Sequence, residues 1–312
     1  MGALATEPGA CALCGSDSGA ERLAAGWDFE YGTTDQEFTL WRCPCGGVYL
    51  NPRPAPEALG QIYPPTYYAY GFTEKLGPLV RRFKAMADRS KVQQYVDYLK
   101  PGSRVLDIGC GDGHLLADLR DAAGFDLELS GIEFSGDAIE EARKIGVDVA
   151  EGRAEEVSLP ESSFDLVIIN QLIEHVRDPG ALLHSIAGWL EPGGHVFVET
   201  PNIDSVDARL FRRRYWGGYH IPRHFHLFDT RTLTGLASKQ GLEQVSLKPL
   251  VCPQFWIISA ANWFAAKGRR AVGEKLFDPL SPVWLIPFTA IELLHVRLWW
   301  TSNQQLVAQR PV

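Results

Sequence analysis

The sequence predicts an α/β fold, a doubly wound and mostly parallel sheet with helices on both faces, preceded by a small cysteine-bearing module. Three observations carry this. From residue 101 to about 250 the hydrophobic pattern switches repeatedly between strand and helix spacing. Within that region FDLVII is nearly all apolar, as a central strand covered on both faces should be. Two close cysteine pairs, Cys11 with Cys14 and Cys43 with Cys45, lie ahead of the alternating region in a stretch rich in glycine and turn formers.

In chain order, residues 1–10 read as a frayed tail, and short strand-like runs such as FTLWRC make residues 1–52 a module of their own. NPRPAPEALGQIYPPTYYAYGF is crowded with proline and tyrosine, which favours an irregular connector over a helix or strand interior. LVRRFKAMADRSKVQQYVDYL places apolar residues at helical spacing until Pro101-Gly102 stops it, so residues 53–100 are expected to form a connector and a lead-in helix. Then come strand RVLDIGC, helix GHLLADLRDA, strand LSGIEF, helix SGDAIEEARKIG, strand DVAEG and strand FDLVIIN. Helix PGALLHSIAGWL, strand HVFVET, helix DTRTLTGLASKQG and strand LEQVSL complete the alternation of a 101–312 domain. Two aromatic-rich apolar runs follow, which we read as helices inserted at about 251–300 before a last strand, NQQLVAQRP. Pro287, Glu292, His295 and Arg297 make the second run a poor membrane span. Two roles stay open for these helices: a cap or dimer face, or an apolar lid or surface resting on lipid.

A chain of 312 residues accommodates one large domain and a module. Its net charge of -8 opposes a general electrostatic grip on nucleic acid. MGALATEPGA lacks a charged segment followed by an apolar one, which predicts a cytoplasmic protein, and six cysteines in that compartment are not expected as disulfides.

The segment VLDIGCGDGH follows a strand and opens a helix, so Gly109, Gly111 and Gly113 permit a tight turn and close backbone approach to a ligand. Asp107 and Asp112 would repel a pyrophosphate and suit a ligand carrying positive charge. Glu133 ends the second strand, where a carboxylate in such a fold accepts hydrogen bonds from ribose hydroxyls. Arg153 to Glu155 could border a purine, and the fourth strand ends at Asn170.

With these motifs in order, the stretch from Pro101 to Leu247 resembles the class I S-adenosylmethionine-dependent methyltransferases. NQLIEHVRDP, LEPGGHVFVETPN and RHFHLFDTRTL resemble the branch that includes quinone-biosynthesis and many sugar and natural-product methyltransferases. The resemblance implies a Rossmann-like, seven-stranded sheet of order 3-2-1-4-5-7-6 with the last strand antiparallel. It implies that Asp107, Gly109, Cys110 and Gly111, in the loop closed by Gly113, hold the methionine part of S-adenosylmethionine. By the same likeness Glu133 and Phe134 hold the ribose and flank the adenine, and Arg153, Ala154 and Glu155 meet the adenine edge. Asn170, Gln171 and Leu172 would lie beneath the methyl-bearing sulfur. Cys110 itself reads as a small packing residue, not a nucleophile, because its acidic neighbours raise a thiol pKa.

Cys11, Cys14, Cys43 and Cys45 stand in CALCG and CPCGG, two knuckles that suit a structural thiolate zinc site in a module too small for a core of its own. The second pair is one residue shorter than the C-x-x-C of similar methyltransferases with an N-terminal zinc ribbon. A ribbon that folds without metal is the alternative.

YWGGYHIPRHFHLFD, Tyr215 to Asp229, holds three of the eight histidines within seven residues. A metal trio is disfavoured because Pro222 opposes the helical turn that would bring His220 and His224 together. Core packing and acceptor recognition both remain. Methyl transfer needs in-line proximity and removal of one proton, a task suited to histidine. We favour His224 as the base, beside Arg223, which could orient an anionic acceptor. His226 and His175 in IEHV are the other candidates.

The function expected is methyl transfer from S-adenosylmethionine to an oxygen or carbon of a small-molecule acceptor: a sugar, a natural product or a quinone-like intermediate. RNA methylation aided by the ribbon is opposed by the net charge and by NQLI where base N-methylating enzymes carry an N-P-P-Y-like tetrapeptide. A non-catalytic cofactor-binding or interaction protein is a third reading. A homodimer and peripheral lipid contact through the apolar helices are the partner expectations beyond the acceptor.

Overall fold

The computed structural model describes residues 3–64, 78–298 and 300–312. Its first elements are short strands: β1 (Thr6–Glu7), β2 (Glu21–Gly26), β3 (Phe38–Arg42), β4 (Val48–Leu50) and β5 (Arg53–Pro54). Helices α1 (Leu59–Ile62) and α2 (Pro78–Val96) precede β6 (Arg104–Ile108), α3 (His114–Ala123), β7 (Glu128–Glu133), α4 (Gly136–Lys144) and β8 (Asp148–Glu151). After these come β9 (Phe164–Asn170), α5 (Pro179–Trp189), β10 (Leu190–Pro201), α6 (Val206–Phe211), β11 (His226–Leu227), α7 (Thr230–Lys239) and β12 (Glu243–Leu250). The chain closes with α8 (Pro253–Ala265), α9 (Arg270–Leu276), α10 (Pro282–His295) and β13 (Asn303–Gln309). Part of the stretch expected to be an irregular connector is helical, at Leu59–Ile62; its residues 65–72 lie outside the described residues, as do 73–77 after it.

The chain divides into two units. One gathers Met1–Gly77, Pro201–Leu233 and Lys248–Gln304; the other holds Pro78–Thr200, Thr234–Leu247 and Gln305–Val312.

The second unit is built on a seven-stranded sheet of order β12-β13-β10-β9-β6-β7-β8. Numbered from β6 as its first strand, this is 3-2-1-4-5-7-6 read from the β8 edge, the order the resemblance implies. The pairs β6 with β7, β6 with β9, β7 with β8 and β9 with β10 are parallel. Leu166 to Ile169 of β9 are completely buried, which explains why that strand reads as an unbroken apolar run. Val105, Leu116, Leu119, Ile139, Leu166 and Phe197 belong to the core of this unit. Asp178 caps α5 by accepting the Ala181 N–H at 2.9 Å, with Pro179 at the first helical position.

The first unit carries an antiparallel sheet of order β11-β4-β3-β2. Strand β11 comes from the histidine-rich segment: His226 pairs with Tyr49 and Leu227 with Val48. The apolar runs after Leu250 form α8 and α10, as expected. Buried Glu292 of α10 accepts hydrogen bonds from Trp256 Nε1 at 2.9 Å, Cys252 N at 3.2 Å, Ser302 N at 3.0 Å and Ser302 Oγ at 2.9 Å. Four donors for one carboxylate offset its desolvation and fix α10 against α8 and the chain entering β13. No helix among the described residues is long and apolar enough to cross a membrane.

Candidate functional site

The carboxyl edge of the parallel strands is where open α/β sheets place ligands, and the predicted cofactor residues of the second unit gather there. The loop after β6 turns through three glycines. Gly109 and Gly111 have φ of 77° and 55°, a region costly for side chains. A Cβ on Gly109 would meet Leu172 Cδ1 at 3.4 Å, an ordinary contact, so the backbone angle alone calls for glycine there. Gly113, with φ of 77°, stands at the start of α3, where a Cβ would come within 3.1 Å of both Ala142 and Ile145 of the α4 region. The loop is braced by Gly109 N and Cys110 N, which donate to Ile132 O at 2.8 and 3.2 Å.

Glu133 is buried at the end of β7. Its Oε2 accepts the Gly111 N–H at 3.0 Å, and its Oε1 accepts those of Phe134 and Ser135 at 2.8 and 3.0 Å. Three amides thus fix the carboxylate against the glycine loop. Asp107 is also buried, and burial pushes its carboxyl up to about 7; Lys91 opposes the rise and Glu133 adds to it. Cys110 packs inward, since a Cβ on Gly131 would fall 2.4 Å from its Sγ. Burial first, then Asp107 and Glu133, push its thiol up to about 12, as expected for a packing residue.

Phe134 is half exposed beside Glu133, Ala154 is buried, and Glu155 accepts the Arg177 N–H at 2.5 Å. Arg153 is half-buried. Asn170 ends β9, and Gln171 turns out of it with φ of 50° while its N–H donates to Glu199 O at 2.9 Å.

A further layer beneath this edge is marked by no motif in the sequence. Lys91 of α2 meets Glu199 of β10 at 2.8 Å, and Gln305 Nε2 donates to the same carboxylate at 2.9 Å. Tyr95 donates from its hydroxyl to Asn170 Oδ1 at 3.3 Å. The available signal was the spacing of Lys91 and Tyr95, one helical turn apart on α2. Glu174 of the IEHV motif is completely buried, accepts the Thr200 hydroxyl at 2.9 Å, and is pushed up to about 8 by burial. His175, next to it, is half-buried.

In the first unit the four N-terminal cysteines converge. Cys11 and Cys45 Sγ lie 3.4 Å apart, Cys14 and Cys43 3.5 Å, and Cys14 and Cys45 3.5 Å; all four sulfurs fall within 4.8 Å of one another. Zinc–sulfur bonds of about 2.3 Å in a tetrahedron set sulfurs about 3.8 Å apart, so the donor set suits one zinc ion. The shortened C-x-C pair fits because the Cys43–Gly47 turn is tight, with Gly46 at φ of 101° and Cys43 N donating to Gly47 O at 2.8 Å.

The histidine-rich segment also belongs to this unit. His224 is buried, and its Nδ1 lies 2.9 Å from Gly218 O. A carbonyl only accepts, so Nδ1 carries the proton and Nε2 is the basic nitrogen of the neutral ring. His226 is buried on β11. His220 has φ of 40° and pairs through Nδ1 with Glu30 at 2.9 Å. Arg223 departs from the expectation of an anion ligand. It is completely buried, its NH1 and NH2 reach Asp28 at 3.2 and 2.8 Å, and its Nε donates to Ile62 O at 2.7 Å. Burial alone would raise the Asp28 carboxyl, yet this fork holds it down at about 2.

Comparison with known proteins agrees with this architecture. The family model described as a methyltransferase domain matches residues 80–247, more than half of the chain. The chain is similar to the ubiquinone biosynthesis O-methyltransferase of Ralstonia nicotianae, 32% identical over 164 residues that make up 48% of this chain and 66% of that protein. It is similar to phosphoethanolamine N-methyltransferase 1 of Arabidopsis thaliana, 35% identical over 157 residues, 47% of this chain and 32% of that protein. The match thus spans less than two thirds of each relative's own length. Among solved structures, phosphoethanolamine N-methyltransferase 2 of Haemonchus contortus in complex with S-adenosyl-L-methionine has a TM-score of 0.53, covering 94% of this chain and 69% of that one; at 18% identity this is a likeness of fold. With its matched domain, its strand order and its acidic, glycine-looped sheet edge, the chain belongs to the class I S-adenosylmethionine-dependent methyltransferase family.

Proposed function

We propose that the protein transfers a methyl group from S-adenosylmethionine to an oxygen or carbon of a small-molecule acceptor. The observation that carries this reading is the pair of buried carboxylates, Asp107 and Glu133, at the sheet edge, with Glu133 hydrogen-bonded to the glycine loop. Two acidic groups beside a glycine-rich turn suit a ligand that joins a cationic end to a ribose. S-adenosylmethionine, when bound, supplies an electrophilic methyl group on a sulfonium. Asp107 and the loop from Gly109 to Gly113 would hold its cationic methionine end, and Glu133 and Phe134 its ribose and adenine. Arg153, Ala154 and Glu155 would line the adenine edge, and Asn170, Gln171 and Leu172 the sulfur side. The O-methyltransferase among the relatives supports an oxygen acceptor.

For the proton, we propose His224 Nε2 as the acceptor, because the Gly218 carbonyl fixes the tautomer that makes this nitrogen basic. His175 and His226 are the alternatives. We further propose that Cys11, Cys14, Cys43 and Cys45 hold a structural zinc ion, with four protein ligands leaving no position for chemistry.

Isothermal titration with S-adenosylmethionine tests the first claim, and absence of binding to the intact protein would remove it. With an acceptor in hand, His224→Ala is expected to lower turnover about 100-fold or more while cofactor affinity stays within about twofold. Unchanged turnover would move the role to His175 or His226, each tested by its own alanine variant.

A further inference from the structure

Helix α10 departs from the usual amphipathic rule by being apolar nearly all round, with Leu285, Phe288 and Ile291 partly buried and Phe288 stacked on Trp256. A surface helix turns its apolar stripe inward and its polar residues outward. In α10 the polar Glu292 is completely buried, whereas the outward stripe runs through Val283, Ile286, Ala290, Leu293 and Leu294 and continues past the helix to Leu298. Val283 is 71% exposed, Ile286 58%, Leu293 59% and Leu294 75%. Scattered exposed leucines need no explanation, but an unbroken stripe along a 14-residue helix, about 21 Å long, marks a contact surface.

Charge at the two ends identifies the occupant. Arg297 is exposed at the carboxyl end of the stripe, and Asp278 is exposed in the turn before its amino end. Neither has an ion-pair partner among the described residues. We propose that α10 is the contact helix of a homodimer, in which a second copy of this chain covers the stripe. A twofold axis across the helix near Pro287 and Phe288 runs the two copies antiparallel, and every contact then occurs twice. Leu293 meets Val283 of the second copy, Ile286 meets the small Ala290, and Arg297 meets Asp278. Opposite charges at opposite ends of an apolar stripe are what self-complementarity under this operation requires. A lipid surface fits less well, because helices that lie in a bilayer interface carry Lys or Arg along their polar face. Between Pro282 and His295 there is neither.

Light scattering coupled to size exclusion on the full chain is expected to give twice the 34.6 kDa chain mass. Leu293→Glu combined with Leu294→Glu should yield a monomer with an unchanged circular dichroism spectrum and melting profile, since both side chains are exposed. Arg297→Asp, which turns two attractive pairs into two repulsive ones, should weaken dimerisation about tenfold, and adding Asp278→Arg should restore it. A wild-type monomer at about 100 μM, or a dimer that survives the leucine substitutions, overturns the proposal. So does a monomer that sediments with phosphatidylglycerol vesicles through the same leucines, which would assign the stripe to lipid.

Discussion

Asp107 is a buried carboxylate whose charge depends on pH in the physiological range, since burial pushes it up to about 7. In the folded chain it is mostly protonated below that pH and ionised above it. A cationic ligand favours the ionised form, so S-adenosylmethionine affinity is expected to climb between about pH 6 and 8. Asp107→Asn should flatten the profile and weaken binding about tenfold at pH 8. Stability moves the other way. A raised folded pKa means that the native state binds the extra proton, so this group's contribution is present in acid, below its ordinary value, and lost as pH rises through 7. Titrations in overlapping buffers check the sign, and a flat wild-type profile would place Asp107 away from the ligand. Lys91, opposed to that rise, was not legible as part of the site. In the sequence it is one more polar residue of a lead-in helix, and only folding sets it against Glu199.

At the scale of an element, the second cysteine knuckle shows how a glycine is chosen by what touches it. Gly47 has ordinary backbone angles, yet a Cβ there would lie 2.5 Å from Cys11 Sγ. Gly15, in the first knuckle, has φ of 72° and open space around it. Gly15→Ala is therefore expected to cost about 1 kcal/mol of backbone strain and to keep zinc. Gly47→Ala must displace the Cys11 sulfur and, on the proposed zinc site, should lose the metal as Cys11→Ser does, with about 2 kcal/mol or more of stability. Elemental analysis alongside thermal melting separates the cases; equal, full zinc content in Gly47→Ala and Cys11→Ser would exclude the four-sulfur site. The doubled C-G pattern was readable at once. That one missing residue does not spoil the cluster depended on the turn geometry around Gly46.

At the scale of the molecule, the first unit is assembled from three separated stretches, and Asp28 with Arg223 joins two of them across 195 positions of sequence. Asp28→Asn leaves a buried guanidinium without its counter-charge and is expected to cost about 3–5 kcal/mol, read from urea unfolding. Because folding depresses this carboxyl to about 2, its contribution is present above about pH 4 and lost as pH falls toward 2. Relative to wild type, the variant should lose that part of its acid sensitivity. A variant that unfolds with the wild-type midpoint would show that the pair contributes nothing.

The sequence by itself determined the alternating α/β pattern, the glycine loop with Asp107 and Glu133, the four clustered cysteines and, through resemblance, the strand order. Each is written in a short window, as a period, a spacing or an ordered run of motifs. The tertiary structure alone decided that His226 forms an edge strand beside Tyr49, that Arg223 is bound by Asp28, and that α10 leaves one apolar side exposed. Those are relations between distant residues. Backbone pairing and the burial of one charge by another depend on which surfaces meet after the chain has closed, and local periodicity does not encode that.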